Sequence, residues 1–274
     1  MLKRYSVVFL FILNIILNGQ SKEFTTEDVA LNSYSDLAPT KLEKLQWIPN
    51  SDFYSFINNN DELIRARMNI NDEKIISLEE FSEKIKNAIG KNVASFPKLK
   101  WTDEYNFLFR IKNDLYSFNT KSGEISVIAE PGENAENIEV ANNNKYAAFT
   151  KDNNLYVSLG RDDIKKITKE SNSGIVSGKA VHRNEFGIDK GIFWSPKSNY
   201  IAFYKMDESM VTDYPLVDLD ETPAEFDRIR YPMSGDISHQ VKIGIYSVNT
   251  GSTVYLKTGE PKDQYLTSIS WSPN

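Results

Sequence analysis

Four stretches of this sequence share one plan, and a repeat constrains a fold more tightly than any local pattern. They are "LQWIPNSDFYSFINNNDELIRARM", "LKWTDEYNFLFRIKNDLYSFNTKSGEISVI", "IEVANNNKYAAFTKDNNLYVSLGRDDIKKIT" and "IFWSPKSNYIAFYKMDES", the last completed after an interruption by "VKIGIYSVNTGSTVYL". Each reads as an aromatic strand, a polar turn, and then alternating strands separated by Asn, Asp or Gly turns. In the second stretch apolar side chains recur at every second residue on both sides of Lys112-Asn113-Asp114, the period of a strand with one buried face. Trp47, Trp101, Trp194 and Trp271 all stand at the end of a strand just before its turn, and the third unit carries Val140-Ala141 there instead. Units of roughly 40 to 55 residues with four strands each cannot bury both faces alone, so they stack on their neighbours. The expected fold is all-β, a partial β-propeller of four-stranded antiparallel blades with one short inserted helix, in preference to an irregular β-sandwich.

The helix is expected at about 77–90, "SLEEFSEKIKNAIG", where Ser77 and Glu80 form a capping-box pair. Leu78, Phe81, Ile85, Ala88 and Ile89 share one face, and Gly90 sits where a helix stops. A second insertion, about 212–238, is rich in Pro, Asp and Tyr and lacks clear periodicity; it is expected as a long loop. The final "SISWSPN" matches "IFWSPKSN" up to the turn, from which a longer polypeptide, or a truncated one, is expected.

Lys3 and Arg4 precede an apolar run from Tyr5 to Leu17, the pattern of a secretory signal peptide over residues 1–20, with the mature domain at 21–274. The run is short for a bilayer span, so export with no membrane attachment after cleavage is expected. The chain has no Cys, so an exported form must rely on a continuous core rather than disulfides. With 32 basic against 38 acidic residues and no basic cluster, nucleic acid is excluded as a partner.

The run "AVHRNEFGIDKGIFWSPKSNYIAFYKMDESMVTDYPLV", with "YPMSGDISHQVKIGIYSVNTGSTVYLKTGEP" and "LTSISWSPN" after it, resembles the N-terminal propeller of bacterial dipeptidyl peptidase IV-type serine peptidases. The resemblance implies an eight-bladed propeller ahead of an α/β-hydrolase domain in the same polypeptide. It further implies removal of dipeptides from peptide N-termini, a periplasmic or extracellular location, and a homodimer. In that family acidic side chains from the propeller hold the substrate's free amine; a fixed carboxylate orients an ammonium by a charge-assisted hydrogen bond. Glu185 is the residue the resemblance places in that role, with Arg183 and Asn184 beside it where many members carry an adjacent glutamate. The altered motif leaves a tripeptidyl specificity open. Asp207-Glu208, after an alternating strand, reads as a strand-end or turn feature.

No Gly-x-Ser-x-Gly elbow and no βαβ alternation occur in these residues, so the chain alone is expected to bind and admit peptides rather than cut them. Ser195 is a repeat-turn residue, a copy of Ser272, and not a nucleophile served by His182 or His239. Both histidines are expected as surface or loop-packing residues, and Phe193, Trp194, Phe203 and Tyr204 as blade core. Two histidines without Cys offer no zinc spacing, "DLDETP" puts Pro223 where a calcium loop wants Gly, and no phosphate-cradling loop is present, so no cofactor or metal is expected. A free-standing periplasmic binding scaffold is the reading from another class.

Overall fold

The computed structural model describes residues 23–35 and 42–273. Residues 1–20, read as a signal peptide, lie outside them. The described residues fall into two units, divided between Leu42 and Glu43. In the first, Asp28–Asn32 make a short π-helical turn.

The second unit holds the repeats, and each becomes an antiparallel sheet. Blade 1 is β1 (Glu43–Trp47), β2 (Tyr54–Ile57), β3 (Glu62–Ala66) and β4 (Glu73–Ser77), in that order. After helix α1 (Leu78–Ile89) comes blade 2: β5 (Leu99–Trp101), β6 (Asn106–Ile111), β7 (Asp114–Asn119) and β8 (Ile125–Ala129). Blade 3 is β9 (Glu136–Val140), β10 (Ala147–Lys151), β11 (Asn154–Ser158) and β12 (Ile164–Lys166). In blade 4, β13 (Ile175–Ser177) and β14 (Ile192–Trp194) share one edge of β15 (Tyr200–Asp207). The 212–238 segment departs from the expected loop: β16 (Asp213–Asp218) and β17 (Glu225–Arg230) pair with each other as a hairpin. Its mixed composition hides the pairing, because both strands are solvent-exposed along most of their length and need no apolar alternation. The sheet then resumes with β18 (Gln240–Ser247) and β19 (Thr253–Tyr255).

Helix α1 starts as the sequence requires. The Ser77 side chain accepts from Glu80 N–H, the Glu80 carboxylate accepts from Ser77 N–H at 2.8 Å, and Gly90 closes the helix at φ 69°. Phe81 and Ile85 are fully buried in one cluster with Phe96, which precedes β5, and Phe107, Phe109 and Phe118 of blade 2, so the helix belongs to the core.

Neighbouring blades are stitched by their tryptophans. Trp101 Nε1 donates to Ser55 Oγ of blade 1 at 2.7 Å, and Trp194 Nε1 to the Glu139 carbonyl of blade 3 at 3.0 Å. Trp271 Nε1 does the same to the Phe193 carbonyl of blade 4 at 3.0 Å. Where blade 3 lacks the Trp, Ser158 Oγ reaches the Ile128 carbonyl of blade 2 at 3.1 Å. Ser195 is confirmed as a turn residue, its hydroxyl accepting from Tyr200 N–H and donating to Asn199 Oδ1.

Candidate functional site

Between β13 and β14 the chain does not form a regular helix. His182, Arg183, Asn184 and Phe186 all have φ between 51° and 61°, Gly187 has φ 72°, and Glu185 alone is extended at φ −67°, ψ 160°. Left-handed backbone is unfavourable for L-residues other than Gly and Asn, so His182, Arg183 and Phe186 each store strain of order 1 kcal/mol or more. Such a run persists only where its surroundings over-determine it.

The three residues picked from the sequence sit together here but face different ways. Arg183 lays its guanidinium over the Tyr231 ring, 4.5 Å from the centroid, and donates to the Arg230 carbonyl. Arg183 and Asn184 line a cavity of about 550 Å³ floored by His182, Met206 and Glu208 and walled by Arg228 and Arg230 of β17. The hairpin therefore walls this cavity. Glu185, the residue after Asn184, is not among the lining residues; its carboxylate is solvent-exposed and accepts from the Tyr265 hydroxyl at 3.2 Å. That carboxylate in turn raises the Tyr265 phenol above its usual range.

Of the two placements expected of the histidines, surface or loop packing, the second is found. His182 is 5% and His239 9% exposed, and His239 Nε2 lies 2.9 Å from His182 Nδ1, one nitrogen of the pair donating. The second ring nitrogen of His182 is buried without a partner among the described residues. Burial depresses both rings. His182 falls to about 4, with His239 contributing and Glu185 opposing; His239 is lowered by burial and by Arg183, again against Glu185.

Asp207 is the strand-end feature expected, its carboxylate accepting from Ser209 N–H at 3.0 Å and from the Ser209 hydroxyl at 2.6 Å, which lowers its pKa. Glu208 next to it is different. It is half-buried in the cavity, its carboxylate makes no hydrogen bond and no ion pair within 4 Å among the described residues, and its pKa is pushed up by desolvation against the fields of Arg230, Arg183 and Lys179. Sequence reasoning missed Glu208 because the alternation of β15 ends at Asp207; it missed Tyr265 because its partner lies 80 residues away. Among the described residues no group of three or more His, Asp or Glu could hold a metal ion.

The family model described as "Dipeptidyl peptidase IV (DPP IV) N-terminal region" matches residues 91–274. A protein from Bacteroides ovatus, assigned as a dipeptidyl aminopeptidase IV, has a crystal structure that superposes with a TM-score of 0.74 at 39% identity, covering 85% of this chain and 32% of that one. Dipeptidyl aminopeptidase B of Saccharomyces cerevisiae is 31% identical over 144 residues, 48% of this chain and 18% of the yeast protein. Porphyromonas gingivalis dipeptidyl peptidase 4, at 16% identity and a TM-score of 0.61 over 89% of this chain and 36% of that one, shows the shared fold. The chain thus spans between 18% and 36% of the length of these relatives. Stacked four-stranded blades and a family match over two thirds of the sequence agree: the chain belongs to the dipeptidyl peptidase IV N-terminal region family.

Proposed function

We propose that this region is the substrate-gating and amine-binding part of an exported dipeptidyl peptidase IV-like serine peptidase, acting with an α/β-hydrolase domain of the same polypeptide. Glu185 holds the ammonium of a peptide's N-terminus, and the cavity behind it receives polar groups of the entering chain through Asn184 and Arg183. The blades restrict entry to peptide ends, and the enzyme works as a homodimer in the periplasm or outside the cell. The observation that carries this reading is the hydrogen bond from the Tyr265 hydroxyl to the exposed Glu185 carboxylate. An exposed carboxylate is held at a defined place by Tyr265, on a strained segment, next to a polar cavity of peptide size. An anchored carboxylate binds an ammonium without first losing its own side-chain freedom.

The test is Glu185→Gln in the complete gene product, assayed on a dipeptidyl substrate with a free amine. A charge-assisted hydrogen bond of about 1.5–3 kcal/mol corresponds to a loss of roughly 10- to 150-fold in kcat/KM. Unchanged kcat/KM would remove Glu185 from the amine site.

A further inference from the structure

The segment that carries Glu185 is strained, and one side chain from far along the chain touches it at three points. Tyr265 packs on His182 with ring centroids 4.4 Å apart and the planes tilted by 32°, meets Phe186 edge-on at 5.1 Å, and donates its hydroxyl to Glu185 Oε2. His182, Glu185 and Phe186 are the start, the middle and the penultimate residue of the run, so one phenol spans it.

Tyr265 is itself anchored. The next residue, Leu266, gives its carbonyl to the buried Tyr204 hydroxyl at 2.6 Å, and Trp271 ties the same stretch to the Phe193 carbonyl. Val181 and Ile188, which flank the strained run on either side, are buried in one cluster with Tyr204 and Val241, and Leu266 and Ile269 pack against that cluster. Both ends of the run and the base of Tyr265 are therefore fixed to one piece of core, and His239 secures His182 from the other side. The left-handed conformation is over-determined by these contacts, which is the condition under which strain survives.

We infer that Tyr265 is the positioning residue of the amine site, a clamp that keeps the 182–187 run in its left-handed form and aims the Glu185 carboxylate. The inference rests on the proposed role of Glu185 for its functional half; its structural half stands alone. Two chemistries are separable in it. The ring fixes the backbone through His182 and Phe186, and the hydroxyl fixes the carboxylate.

Two variants divide these parts in the complete gene product, read by hydrogen exchange and by kinetics. Tyr265→Ala is expected to speed exchange at the amides of Asn184 and Ile188, which bond to the Val181 and Glu185 carbonyls, by about tenfold or more. Tyr265→Phe keeps the ring, so exchange stays near that of the unaltered protein. Loss of the hydroxyl's one hydrogen bond raises KM for a free-amine dipeptidyl substrate by about 3- to 10-fold at nearly constant kcat. A purely structural tyrosine would give no such KM effect in Tyr265→Phe. Unchanged exchange in Tyr265→Ala would overturn the clamp. Loosened exchange in Tyr265→Ala together with full activity of Glu185→Gln would leave the clamp standing and remove the amine-binding role of Glu185. Loss of activity in Glu185→Gln with both Tyr265 variants silent would do the reverse.

Discussion

Two buried imidazoles sharing a hydrogen bond make this fold sensitive to acid. Because His182 is depressed to about 4 and His239 is lowered by the same burial, the unfolded chain binds more protons than the folded one between about pH 6.5 and 4. Stability is therefore lost as pH falls through that window. Glu208 acts with the opposite sign: its folded pKa is raised, so above about 4.5 its desolvated carboxylate lowers stability as pH rises. The His182 shift, from 6.5 to about 4, is the large one and His239 adds to it, so denaturant midpoints measured from pH 7 to pH 4 should fall. Glu208→Gln should raise the midpoint at pH 7 and steepen the net decline toward acid. A midpoint that is flat or rising toward pH 4 would mean the imidazoles are not buried as neutral partners.

At the scale of elements, helix α1 and the blade strands were legible and the left-handed segment 182–187 was not. Ser77, Glu80, Phe81 and Gly90 act within one stretch of chain, so their spacing alone determines cap, buried face and stop. Ser77→Ala should cost about 1 kcal/mol and Phe81→Ala about 3–5 kcal/mol, read by denaturant unfolding, because the first removes a cap and the second empties a ring-packed site. The strands alternate for the same local reason. The left-handed run 182–187 follows no such period: nothing in "HRNEFG" by composition demands φ near 55°, and contacts from distant residues, Tyr265 and His239 among them, hold it. The resemblance singles out Glu185; it carries no information that Glu208 lines the cavity while Glu185 does not. The hairpin β16–β17 was missed for a related cause, since its exposed strands carry no apolar code.

Across the whole set of blades, the recurrent tryptophan marks the seams, and its position before each turn made the repeat visible. Trp101 is buried and bonded to a buried Ser55, whereas Trp47, at the equivalent place in blade 1, is 71% exposed. Trp101→Phe leaves the Ser55 hydroxyl without its donor and should destabilise the chain by about 1–3 kcal/mol; Trp47→Phe in the same 274-residue chain should change stability by less than about 0.5 kcal/mol. Equal effects at the two sites would show that the seam hydrogen bond contributes nothing. At this scale too lies the central claim, that blade 4 offers Glu185 to a peptide's free end. The most direct measurement is a crystal structure of the complete gene product with a peptide bound. The expected result is a peptide N-terminal nitrogen within about 2.7–3.2 Å of the Glu185 carboxylate; a peptide whose nitrogen lies elsewhere, with Glu185 still bonded only to Tyr265, would contradict it.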